Sequence, residues 1–311
     1  MQQSALDIIA ADTALASVSS DIARLTRLAL RIAASPVARA QLPVGASRFG
    51  GAPDVPPHFA WPALRAAPLA FLAQLDLAEV AAALTNAALT NAAAALTNAA
   101  APGNAAAASG TAPAHALPAA GSLLFFYDAQ RQTYGADPAD RDGWRVLYHA
   151  GDPRQLARVT PPPALPPAAQ LPPCALTFAP ELCLPPPEMV AALGLHWPDA
   201  TIARYEQLLG TAETEAERRA PHHRLLGYPE QLQDELLAQA ALVSRGLTDP
   251  EAPRAAAALA HTHDWQLLLQ LDSDDAAGMR WGSAGMLDFL ITQRALHTAT
   301  FAGVWCVLQS E

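Results

Sequence analysis

Lysine is absent from this chain of 311 residues; all 19 basic residues are arginine. That removes Schiff-base chemistry, a lysine general base and the phosphate-loop lysine together. Cysteine is scarce. Cys174, Cys183 and Cys306 form no C-x-x-C pair and cannot all pair internally, so no disulfide framework is expected and a cytoplasmic location fits best. Positive charge is short as well: 29 acidic residues leave a formal net charge of −10. Gripping nucleic acid needs clustered cations, so no nucleic-acid partner is expected. No basic segment precedes an apolar run at the start, and no apolar run of 18 residues occurs outside one alanine-rich tract, so no membrane span is expected. What is present is apolar: with 51% hydrophobic residues the chain can bury a large core.

Leu15, Val18, Ile22, Leu25, Leu28 and Ile32 recur at helical steps and predict an amphipathic helix that Ser35-Pro36 stops, within an N-terminal helical segment over 1–46. Arg24, Arg27 and Arg31 fall on another face of that helix, read as a solvated one. "PLAFLAQLDL" (Pro68 to Leu77), "GSLLFFYD" (Gly121 to Asp128) and "GWRVLYHAGD" (Gly143 to Asp152) read as strands. Between the first two, residues 81–120 repeat Leu-Thr-Asn in a background of alanine, an insertion expected to lie outside the core. The proline-rich stretch 160–187 reads as a connector with an edge strand inside it. Helices are predicted over Asp199 to Leu209 and Pro229 to Ser244, and strands over Trp265 to Leu271, Gly285 to Thr292 and Phe301 to Gln309. Strands and helices mix without strict alternation, which predicts an α+β fold with a mixed, largely antiparallel sheet and flanking helices.

Three stretches echo one another in the same order. "RFGGAP" (Arg48 to Pro53) matches "RLLGYP" (Arg224 to Pro229), "FLAQLD" (Phe71 to Asp76) matches "LLLQLD" (Leu267 to Asp272), and "GSLLFF" (Gly121 to Phe126) matches "GMLDFL" (Gly285 to Leu290). The pattern predicts two pseudo-repeated units, about 47–159 and 188–311, joined by the connector. In that scheme the shared Gln and Asp (Gln74 and Asp76, Gln270 and Asp272) fasten loops or pair with Arg48 and Arg224.

The acidic run Asp272, Asp274 and Asp275 has Ala276 and Ala277 where a calcium loop needs its next ligand and its glycine. His222-His223 and His261-x-His263-Asp264 are the histidine clusters; spacing defines no third ligand, and neither a metal site nor any cofactor is expected. "WGSAG" (Trp281 to Gly285) is not the G-x-S-x-G of a nucleophile elbow, and no phosphate-binding glycine motif follows a strand. The cysteines read as small buried hydrophobes.

Taken together, "SRFGGAPDVP", "PLAFLAQLDL", "GSLLFFYD", "GWRVLYHAGD", "HRLLGYPEQLQDE", "WQLLLQLDSDD" and "WGSAGMLDFLI" resemble the YwqG-like family, over about Ser47 to Leu308. Ser283 and Asp288 depart from the pattern, standing where relatives carry Asp and an aromatic. The resemblance implies an α+β fold built from a repeated unit, with no assigned reaction, and an association of some members with toxin clusters. The expectation is a protein-binding module of the immunity type, its acidic surface facing a basic toxin. The alternative is a small-ligand receptor or enzyme using the cleft between the units. Candidate contact residues are Arg48, Gln74, Asp76, Arg224, Tyr228, Gln270, Asp272, Asp274 and Trp281.

Overall fold

The structure is a computed structural model that describes residues 8–9, 11–38, 41–86, 117–192, 195–212, 214–230 and 236–310. Among these residues fourteen strands occur in chain order: β1 (Arg27–Pro36), β2 (Arg48–Phe49), β3 (Asp54–Val55), β4 (Ala63–Leu64), β5 (Ala67–Pro68), β6 (Ala70–Asp76), β7 (Ser122–Tyr127), β8 (Trp144–His149), β9 (Ala157–Arg158), β10 (Cys174–Cys183), β11 (Arg224–Leu226), β12 (Trp265–Asp272), β13 (Met286–Thr292) and β14 (Trp305–Gln309). Ten of them form one antiparallel sheet in the order β14-β13-β12-β11-β1-β10-β2-β6-β7-β8. Helices accompany a large antiparallel sheet, as the α+β expectation has it, but the pairings among the described residues are all antiparallel rather than mixed; no helix among the described residues is long and apolar enough to cross a membrane.

The sheet curls until its two edges meet and is nearly a closed barrel. Trp144 and Trp305, one on each edge strand, pack edge to face with centroids 4.9 Å apart. The Trp144 indole N–H donates to Val304 O at 2.9 Å, the Trp305 indole N–H to Gly135 O at 2.9 Å, and Leu308 N–H to Tyr134 O at 3.1 Å. The β7–β8 loop thus covers the exposed edge of β14, which would otherwise invite pairing with another chain. Inside, Phe125 of β7 meets Phe289 of β13 at 5.1 Å and Tyr127 meets Trp281 at 5.7 Å, so residues from opposite arms share one core. β6 and β7 are buried along nearly their whole length because a second cluster (Val55, Leu69, Phe71, Leu124 and Phe126) covers their outer face. That double covering is why they read as unbroken apolar runs rather than as alternation.

Three expectations need correction. The N-terminal helix does not run to Ile32: it spans Ser19–Leu25, Thr26 turns the chain, and Arg27–Pro36 is a strand. Tertiary pairing on both sides of β1 overrides the helical spacing, and Arg27 and Arg31 therefore share no helix face with Arg24. Residues 1–46 thereby contribute a strand to the middle of the sheet. The strand in the proline-rich connector is likewise central rather than an edge: all ten residues of β10 pair with β1. β2 reaches only Cys174 and Ala175, so the far side of β10 is open at Pro180 and its missing N–H removes no ladder partner there. The third concerns the alanine-rich tract. A helix covers 77–86 and buries Val80 and Leu84, so the first residues of the tract belong to the core; the tract from 87 to 116 lies outside the described residues.

The two arms of the sheet carry like registers. Arg48 stands opposite Gln74, and Arg224 opposite Gln270. The β6–β7 ladder shifts between Phe71 and Ala73, and the β12–β13 ladder between Leu267 and Leu269.

Candidate functional site

Arg48 is fully buried, and its partner is Asp54 rather than the expected Asp76. Its guanidinium also donates to the carbonyls of Pro43, Ala46 and Ala52. Asp54 further accepts from Gly45 N–H at 2.8 Å and from Arg158 Nε at 2.9 Å. Burial pushes the Asp54 carboxyl up, but the Arg158 and Gly45 hydrogen bonds and the Arg48 charge outweigh it and hold it below the usual carboxylate range. Desolvation brings Arg48 down to about 10, against the opposing pull of Asp54. Gln74 locks this loop to the sheet: its Oε1 accepts from Asp54 N–H at 2.8 Å and its Nε2 donates to Ala46 O at 3.2 Å. Asp76 caps the following helix through Ala78 N–H at 2.9 Å, while its own N–H donates to Ser47 Oγ at 2.9 Å.

The second arm repeats the plan with other side chains. Arg224 is ion-paired with Glu181 of β10 and with Glu230 at 3.1 Å, again not with the expected terminal aspartate. Gln270 Oε1 accepts from Glu230 N–H at 2.8 Å, and its Nε2 donates to His222 O at 2.7 Å. Asp272 accepts from His222 N–H at 2.8 Å, and its own N–H donates to His223 Nδ1 at 3.1 Å. Because Nδ1 accepts there, the proton of neutral His223 sits on Nε2, which donates to Asp274 Oδ2 at 3.2 Å. That bond holds the Asp274 carboxyl below its usual range. His222 faces two acceptors, Glu230 Oε2 at 2.6 Å from Nδ1 and Glu217 O at 2.9 Å from Nε2. Only the imidazolium satisfies both, and its pKa is raised, first by the Glu230 hydrogen bond.

Between these groups, at the centre of the sheet, lies a cleft of about 550 Å³. Arg31 to Ala34 of β1 and Ala179 to Glu181 of β10 line it, together with Glu217, Ala220, Pro221, His223, Asp274 and Ala276. Arg31 is tied to Glu181 at 3.2 Å. Three carboxylates (Glu181, Glu217 and Asp274) therefore face one arginine that is already paired.

The chain belongs to the DUF1963 family. The model of this domain of unknown function matches residues 47–87 and 105–310. Comparison with curated proteins gives no match.

Of the candidate residues, Asp274 alone lines the cleft. Arg48, Gln74, Arg224 and Gln270 turn inward as fasteners, and Asp76 and Asp272 hold loop backbone. Tyr228 is buried, donating its hydroxyl to Leu25 O at 2.7 Å beneath the Arg27 guanidinium, and Trp281 is a core side chain against Tyr127. The acidic run divides its work: Asp272 and Asp274 hold the two histidines, and Asp275 pairs with Arg280 on the exposed turn. His261 and His263 sit on an exposed turn against Asp264, and no group of three or more His, Cys, Asp or Glu side chains gathers for a metal among the described residues. Burial pushes all three thiols up. Sequence reasoning missed Glu181 and Glu217, which had no motif around them; Arg31 was visible only as part of a solvated helix face, and His223 only as half of a histidine pair.

Proposed function

We propose that this chain is a cytoplasmic, YwqG-like member of the family that binds another protein through the central cleft, as an immunity-type module occluding a basic toxin, and that it arose from two copies of one unit. The matched registers support the duplication. So do the matched bonds: Gln74 to Asp54 N–H and Ala46 O, Gln270 to Glu230 N–H and His222 O. Gln74 and Gln270 do the same structural work in the two arms. Positions that differ mark what one arm does alone, and Ser47 and Ala78 of the first arm stand where His223 and Asp274 stand in the second.

The observation that carries the binding reading is the cleft, set where both long strands outrun their neighbours, with small apolar residues and acidic groups in its lining. Its polar groups are committed to one another, which suits recognition better than proton transfer: both ring nitrogens of His223 are in use. With a net charge of −10 the whole surface favours a basic partner and speeds its capture. The test is affinity capture from the source cell with the parent protein, Ala33→Trp and Ala276→Trp. Both alanines are exposed, so the indoles fill the cleft without touching the core. A protein retained one-to-one by the parent and lost by both variants is the expected result; equal retention by all three rejects the cleft as the interface.

One observation favours a second reading. The cleft volume lies within the range of small-molecule sites. A metabolite that raises the melting temperature of the parent but not of Ala33→Trp would select that reading instead.

A further inference from the structure

We infer that the cleft takes an extended basic segment of the partner, laid along β1 as an added strand, with a cationic side chain held by Glu217 and Asp274. This rests on the protein-binding reading above and specifies its occupant. Ile32 N–H turns away from β10 to donate to His223 O at 2.9 Å, and strand alternation points Ala34 N–H to the same side. β11 pairs with β1 only over Ala29 to Arg31, so beyond His223 no strand of the sheet lies beside Ala34. Pro36, two residues on, has no N–H, which limits the open edge to a short stretch with Ala34 at its middle. An extended peptide entering there would meet a backbone donor, alanines that admit its side chains, and acidic groups in the lining.

Charge decides which peptide. Arg31 is occupied by Glu181, and the neutral tautomer of His223 is occupied by Asp274. Glu217, in the lining, is exposed, with Oε2 held by Thr214 at 2.6 Å. The cleft thus presents net negative charge and no unpaired cation from its lining, so an acidic segment would be repelled and a basic one drawn in.

The experiment uses the full chain and three labelled nine-residue peptides, capped at both ends, alternating Thr with Arg, with Lys or with Glu, read by fluorescence anisotropy. The Arg and Lys peptides are expected to bind one-to-one and the Glu peptide at least about tenfold more weakly, with added salt narrowing the gap. Ala34→Pro removes the open N–H without touching the β10 ladder and is expected to weaken the basic peptides about fivefold, the value of one backbone hydrogen bond. Glu217→Gln, on an exposed side chain, is expected to weaken them several-fold. Unchanged melting temperatures of both variants confirm their folds. Equal binding of all three peptides, no binding of any, or basic-peptide binding that neither substitution moves overturns the inference. If a captured partner is lost from Ala33→Trp while basic peptides fail to bind, the protein-binding reading stands and this one falls.

Discussion

Asp288 stands directly opposite Gln270 in the β12–β13 ladder, and of the two side chains only that of Gln270 is hydrogen-bonded: both carboxyl oxygens of Asp288 are buried with no partner among the described residues. Burial pushes this carboxyl well above its ordinary range, with the Glu230 charge adding to the effect. It is therefore held protonated in the fold, while the unfolded chain ionises near pH 4. Its contribution is intact below that pH and is lost as pH rises toward the folded value. Asp288→Asn, which cannot ionise, should flatten that decline and exceed the parent in urea midpoint at pH 8, with the difference vanishing near pH 4. Parallel pH profiles for the two proteins would contradict this.

His222 adds a decline of the same sign in a separate window. Its raised pKa means that stability is fully present below the unfolded value of about 6.5 and lost as pH climbs through the folded one. The groups around it are Glu230, Glu217, Asp272, Arg31 and Arg224. Removing a proton leaves either Glu230 or the Glu217 carbonyl without a donor, so the lining of the cleft should loosen. Hydrogen exchange at residues 215–221 is expected to quicken between pH 6 and pH 9 in the parent, and to be fast and pH-independent, once corrected for intrinsic rates, in His222→Ala.

The fastening of Arg48 by Asp54 yields a contrast between two acids. Asp54→Ala strands a buried guanidinium and should cost about 3–5 kcal/mol. Asp76→Ala removes only a helix cap and should cost about 1 kcal/mol. Chemical denaturation measures both; similar losses would mean that Arg48 is not anchored as described.

The barrel seam has its own test at Gly135. Its φ is +73°, and a Cβ there would lie 1.9 Å from Cys306 O. Gly135→Ala should cost about 2–4 kcal/mol from backbone strain and forced separation at the seam, and should shift the fluorescence of the Trp144–Trp305 pair. A variant with unchanged midpoint and emission would show that the edges do not depend on this approach.

The family match is interrupted over 88–104, within the alanine-rich tract. Deleting those residues, and leaving the helix at 77–86 with its buried Leu84, should keep the melting temperature within a few degrees. Collapse of solubility would count against an insertion.

The sequence made the strands of both arms legible because buried runs such as "FLAQLD" and "LLLQLD" carry their own signal in hydrophobicity and in the terminal Gln-Leu-Asp. It also exposed Arg48 and Arg224 as fasteners. It misdirected their partners, since Asp54 lies in the short strand β3 and Glu230 in a loop, and the approach of both is set by the fold and not by spacing. β1 was hidden because Leu28 and Ile32 fit a helical step as well as a strand, and only pairing with β10 and β11 decides. The cleft was illegible for the same reason: Arg31, Glu181, Glu217 and Asp274 come from four separate segments, and no local pattern links them.

The position of β1 constrains how the molecule is made. Its neighbours β10 and β11 are synthesised only after residues 37–173 have followed this strand off the ribosome. Until then its two ladder faces have nothing to bind, so the centre of the barrel is assembled late and from distant pieces. A chain cut within the β8–β10 region would give two fragments, each lacking a neighbour that only the other supplies. Neither fragment would close alone, and mixing them should restore one body.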